Sequence, residues 1–180
     1  GQTTCYDSSN VATACTNTSG QDGNIRAGAA LSYTSNGDGT ITDNNTGLVW
    51  EKKTTTCGGE IHCVDSVYDW NTAFTVFIAA LNTAPCFAGH CDWRLPNMKE
   101  LQSIVNYQTS PTRAVSPAFN DDAGSGCSAS CTAGSTYWSS SSYANVPGRA
   151  WVIDFANGGV SVTFKSSGNL IFVRAVRGGL

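Results

Sequence analysis

Eight cysteines stand in four close pairs along the chain: Cys5 and Cys15, Cys57 and Cys63, Cys86 and Cys91, Cys127 and Cys131. Two chemistries use sulfur this way. Thiolates can grip a metal, and His62 beside Cys63 and His90 beside Cys91 would add nitrogen ligands for zinc. Oxidised sulfurs instead close loops, as in chains that work in oxidising compartments. The C-x5-C and C-x4-C spacings fall outside or at the edge of the usual zinc grip, so four local disulfides are the expectation and a metal is not. Cysteines held in bridges cannot act as nucleophiles. The chain has no C-x-x-C-H for haem, no G-x-S-x-G and no H-E-x-x-H. Catalysis is therefore not expected. Asn36, Asp38, Thr40 and Asp43 carry oxygens at alternating spacing, the arrangement of a calcium loop. An EF-hand needs Gly where Ile41 stands and a distal Glu, so a turn is the better reading and calcium the weaker one.

A recognition surface is the other chemistry on offer. In the last third of the chain, Trp138, Ser140, Tyr143, Asn157, Lys165 and Asn169 combine aromatic faces, hydroxyls, amides and one ammonium. Sugars suit such residues, because C–H faces stack on rings while hydroxyls meet polar side chains. From Arg149 onward the chain holds four basic residues and one acid, which favours an anionic partner.

The composition fits that reading. Ser, Thr, Asn and Gly make up 73 of 180 residues, against ten basic and thirteen acidic side chains. Turns and short strands are expected from such a chain, and a helical bundle is not. A net charge of -3 argues against nucleic acid as a partner. No apolar run is long enough to span a membrane. The polar start, Gly1-Gln2-Thr3-Thr4, reads as that of a processed, exported chain. Asn17-Thr18-Ser19 and Asn44-Asn45-Thr46 match the N-glycosylation pattern.

These residues need elements to place them. Residues 1–35 read as an irregular segment pinned by its own bridge, and residues 36–180 as one domain. Asn36-Gly37-Asp38-Gly39 marks a turn between short strands around Ile41 and Leu48 to Trp50. Trp70, Ala73, Phe74, Phe77, Ile78 and Leu81 form a stripe of helical period, with Asp69 as its N-cap. Asn97 and Glu100 have capping-box spacing at the head of a second helix, whose buried face is Met98, Leu101, Ile104 and Val105. Residues 108–135 read as a long loop. Beyond residue 150 the period becomes two. Trp151 to Phe155, Val160 to Phe164 and Leu170 to Val176 then predict a three-stranded antiparallel meander turning at Asn157-Gly158. Two helices followed by a sheet give an α+β class.

Several of these stretches together resemble one family. Asp38-Gly39-Thr40-Ile41-Thr42-Asp43 through Gly47-Leu48-Val49-Trp50 is similar to its opening motif. Asp92-Trp93-Arg94-Leu95-Pro96 running into Lys99-Glu100-Leu101 is similar to its central one. Tyr137-Trp138-Ser139, Ala150 to Phe155 and Val173 to Gly178 are similar to its closing strands. The family is that of collagen-like-protein C-terminal domains, a bacterial secreted or surface module. The resemblance implies a C-type lectin-like fold, with two helices packed on a twisted antiparallel sheet and disulfide-stapled loops. It also implies adhesion to sulfated glycans. Within the motifs a structural role is expected for Trp50, Trp93 and Trp151 as core, and for Arg94 as partner of Glu100. Arg174 alternates with apolar residues on the last strand and is expected either to pair with a buried acid such as Asp154 or to contact a ligand. The functional expectation is a secreted, non-catalytic binding or adhesion module for a glycan or other surface polymer. The alternative is a structural subunit of an extracellular filament.

Overall fold

A computed structural model describes residues 2–17, 20–109, 113–121, 127 and 129–178. Thr18 and Ser19 of the first glycosylation pattern lie outside these residues. Strands dominate. A two-stranded hairpin pairs β1 (Cys5–Tyr6) with β2 (Ala12–Thr13). A four-stranded sheet is built from β3 (Tyr33–Ser35), β4 (Thr40–Asp43), β5 (Val49–Glu51) and β11 (Val176–Arg177), in the order β11-β5-β4-β3. A five-stranded sheet contains β6 (Val67–Tyr68), β7 (Thr136–Ser142), β8 (Arg149–Asp154), β9 (Gly159–Phe164) and β10 (Ile171–Phe172), in the order β6-β10-β7-β8-β9.

This corrects the expected architecture. The chain is not two helices on one antiparallel sheet of C-type lectin type; its described residues form three sheets with short helical segments between them. The expected third meander strand is also corrected. Residues 170–176 do not follow β9 along its edge. They cross the sheet, where β10 pairs parallel with β7 and antiparallel with β6, and then enter the other sheet as β11. Asn169 starts the crossing, its Nδ2 donating to Thr163 Oγ1 and to the Phe164 carbonyl. Nor is the segment before residue 36 irregular throughout. It carries the β1–β2 hairpin, one helical turn at Asp22–Ile25, and β3.

The five-stranded sheet is the middle layer, because period-two alternation gives it two apolar faces. One face, with Tyr137, Ile153 and Phe155, packs on Leu101, Ile104, Phe119, Trp50 and Ile41. The other, with Trp138, Ala150, Val152 and Ile171, packs on Ala73, Phe77, Leu81, Trp93 and Leu95. Each large apolar side chain fully buried here contributes about 1.5–3 kcal/mol.

The apolar stripe from Trp70 to Leu81 is helical along its whole length, but its middle, Ala73–Ile78, is π-helical, flanked by α-helical turns at Trp70–Thr72 and Ala79–Leu81. Asp69 caps its start by accepting from the Thr72 N–H at 2.8 Å. The helix Met98–Ser103 opens with a reciprocal capping box. Asn97 accepts from the Lys99 and Glu100 amides, and Glu100 accepts from the Asn97 amide. All eight cysteines are oxidised in the local pattern: Cys5–Cys15, Cys57–Cys63, Cys86–Cys91 and Cys127–Cys131.

Candidate functional site

Along β9, Ser161 and Thr163 alternate with Val160, Val162 and Phe164, and Lys165 follows in phase with Ser161 and Thr163. The hydroxyl-bearing face opens into a groove of about 420 Å³ between β9 and the crossing segment. Ser135, Thr136, Ser161, Thr163 and Asn169 supply its hydroxyls and amide, and Val152, Ile171 and Phe172 supply apolar surface. Lys165 is held beside the start of the long helical segment. Its Nζ sits 3.8 Å from the centre of the Trp70 ring and donates to Ser142 Oγ. Trp70 is itself fixed by its indole N–H, which donates to the Ser139 carbonyl at 3.2 Å. A preplaced ammonium beside neutral hydroxyls can take a sulfate or carboxylate of a polar polymer with little side-chain ordering cost.

Of the six residues expected at a recognition surface, Lys165 and Asn169 stand on this face. Trp138 does not. It is fully buried, and its indole N–H donates to the Tyr68 carbonyl at 2.9 Å, so it offers no ring to a ligand. The apolar run around Tyr137 and Trp138 reads alike for an exposed or a covered strand, and β7 is covered on both faces. Ser140 turns both its amide and its hydroxyl to the Pro96 carbonyl. Tyr143 lies edge-on to Trp151 with ring centres 5.4 Å apart. Trp151 is half-buried, in a second hollow of about 370 Å³ with Met98, Lys99, Gln102, Ser141 and Val160. Asn157 is exposed at the β8–β9 turn, where its Oδ1 accepts from the Gly159 amide.

The motif residues read as structural do structural work. Trp50 and Trp93 are buried, and Arg94 grips both carboxylate oxygens of Glu100 at 2.7 Å. Burial opposes the Glu100 charge, but Arg94 and the Asn97 amide outweigh it and hold the carboxyl below its ordinary range. Arg94 also reaches the Gly178 carbonyl, and its backbone pairs with Val176, so the central motif is laced to the closing strand. The opening motif pairs with the same strand through Trp50 and Val176. A family model described as the Lcl C-terminal domain matches residues 39–177. The chain belongs to this family. Comparison with curated proteins gave no significant match. Comparison with solved structures gave none either.

Arg174 of this Lcl C-terminal domain does not meet Asp154. It is fully buried and donates to the Glu51 and Cys131 carbonyls and to Thr132 Oγ1. Asp154 instead accepts from the Ala156 amide. Around Arg174 lies a cluster that the sequence reading missed. Glu51 is completely buried, with Lys53 Nζ at 3.0 Å, His62 Nδ1 at 2.7 Å and the Ala175 amide at 3.0 Å. Burial works against the Glu51 charge, yet Lys53, His62 and the amide more than compensate, and the carboxyl titrates below its ordinary range. Burial lowers the Lys53 pKa, and Glu51 only partly restores it. One signal was available: Glu51 and Lys53 flank Lys52 next to a tryptophan strand in a chain with few charges.

His62 lies tilted against Phe87 with ring centres 4.2 Å apart and lines a pocket of about 170 Å³ with Lys52, Thr54, Thr56 and Glu60. A carboxylate on Nδ1 sets the orientation of the ring, as it does for metal-binding and acid–base imidazoles. Two other groups bring ligand-type atoms within 4.8 Å of one another: Cys57, Cys63 and Asp65, and Asp121, Cys127 and Cys131. In both, the sulfurs are bonded to each other and have no thiolate to give. Asn36, Asp38 and Asp43 spend oxygens locally, Asn36 Oδ1 on the Thr42 hydroxyl, Asp38 on Thr40 and Asp43 on the Asn45 amide.

Proposed function

We propose that this protein is a secreted, non-catalytic binding module whose ligand is a surface glycan carrying anionic groups, held in the groove beside β9. The observation that carries the reading is the groove itself: five hydroxyl or amide side chains over apolar surface, with the Lys165 ammonium fixed on the same face. Sugars need that mixture, since their hydroxyls pair with polar groups while their C–H faces cover apolar ones. Four disulfides support work outside the cell, where they persist. No helix among the described residues is long and apolar enough to cross a membrane.

A glycan array probed with the intact chain tests this. Sulfated or carboxylated oligosaccharides should be retained. Lys165→Ala should weaken them about tenfold or more, as expected for losing a charged hydrogen bond. Thr163→Val should weaken neutral and anionic sugars alike. An array without signal, or variants equal to wild type, would contradict the reading.

A filament subunit is the second reading. The observation in its favour is the outer edge of β9, six residues long and free of charge, which pairs with no strand among the described residues. Electron microscopy of the native protein separates the two, since discrete particles alone would leave the filament unsupported.

A further inference from the structure

Strand β9 ends the five-stranded sheet, and its outer edge pairs with no strand among the described residues. The phase of that edge is set by the Lys165 amide, which donates to the Gly148 carbonyl at 2.9 Å. Antiparallel ladders alternate, so Ser161 and Thr163 turn their backbone groups to β8, while Val160, Val162 and Phe164 turn theirs outward. The Phe164 carbonyl accepts from Asn169 Nδ2. The three outward amides and the carbonyls of Val160 and Val162 have no protein partner among the described residues.

Exposed edges are normally guarded by charge, proline, a bulge or shortness. Gly159–Phe164 has none of these guards. It runs six residues in unbroken register with β8, without a charged residue or proline, and leaves Val160 43% and Phe164 54% exposed. The opposite edge strand, β6, is two residues long and gives β9 little to pair with head to tail.

We infer that two copies of this chain associate through β9, antiparallel and two-fold about Val162. The outward residues are self-complementary in that register. Val162 meets its own copy on the axis, and Val160 of one copy lies opposite Phe164 of the other, so the exposed apolar side chains cover each other. The flanking charges select the same direction. Arg149 and Lys165 stand at the Phe164 end of the edge, and Asp154 pairs with Gly159 at the other end. Antiparallel docking brings the basic end of each copy to the acidic end of its partner, whereas parallel docking sets like charge on like charge. The pairing closes at two copies because it uses up the edge. It does not depend on the glycan reading.

Sedimentation equilibrium on the intact chain tests this, together with amide hydrogen exchange. Wild type should pass from monomer to dimer as concentration rises, and the Val160, Val162 and Phe164 amides should become protected in step. Val162→Pro removes an outward N–H that β8 does not use, and should raise the dissociation constant by at least about tenfold, one donor being lost from each copy. Should that variant fail to fold, Val160→Lys at an exposed position makes the same test by charging the edge. A wild type that stays monomeric at millimolar concentration overturns the inference. So does a dimer that both folded variants leave intact, a larger assembly, or protection that appears elsewhere.

Discussion

Glu51 accepts from the buried Lys53, from His62 and from the Ala175 amide, and is the anion on which Lys53 depends. Replacing it by Gln keeps the shape but leaves Lys53 without its carboxylate, and breaking a buried pair in this way costs about 3–5 kcal/mol. Urea denaturation of Glu51→Gln measures that loss. The same carboxyl predicts an acid response. Its pKa in the folded chain lies below the ordinary value of 4.5, so the unfolded chain takes up the proton first. Its stabilisation is therefore complete above that ordinary value and is lost as pH falls through the folded one. The urea midpoint should be level near neutral pH and fall as the pH drops below the ordinary value of 4.5. The fall should be shallower in Glu51→Gln, and equal slopes would rule out Glu51 as its source. Lys165 is a different case, a half-buried cation tied to Trp70 and Ser142 on an open face. Residue types alone separate the two poorly. Glu51 and Lys165 each directly follow an aromatic strand residue, Lys53 stands two residues beyond Glu51, and only the packing shows which of these charges are covered.

The capped helix Met98–Ser103 supports the central motif, because Glu100 serves both its N-cap and Arg94. Asn97→Ala removes the acceptor for two helix amides and should cost about 1 kcal/mol, read as a shift in thermal midpoint. A shift no larger than that of a neutral surface variant would mean the cap is dispensable. That cap was readable in advance, since Asn97 and Glu100 stand at the required spacing. The long helical segment was readable in extent but not in kind. Ala73, Phe77 and Leu81 recur at intervals of four, which a widened π-helical turn serves as well as an α-helical one. Residues 170–176 show a further limit. Period two marks extended chain but does not name its partners, and here Asn169 and the buried Arg174 divert the chain into two sheets.

Pairing nearby cysteines was also readable, because short loops close most easily, and all four bridges connect residues ten or fewer apart. Such bridges steady loops more than they hold the layers together. The paired change Cys57→Ser and Cys63→Ser should cost about 2–3 kcal/mol in urea denaturation without unfolding the chain at room temperature. Complete unfolding would show that these bridges, and not the two apolar layers, hold the molecule together. The division into three sheets was not readable, because local pattern does not record which strands meet across more than a hundred residues, as Trp50 and Val176 do. The groove shares that property. Ser135 and Thr136, Ser161 and Thr163, and Asn169 reach it from three stretches of chain, and of these the sequence singles out only Asn169 as a ligand contact.

A backbone amide NMR titration of the intact chain with a sulfated oligosaccharide tests the binding face most directly. Saturable shifts should concentrate at Ser161, Thr163, Lys165 and Asn169, with Ser135 and Thr136 beside them, and should shrink as added salt screens the Lys165 contact. Shifts that gather instead around His62 or Trp151, or a spectrum the sugar leaves unchanged, would contradict the account.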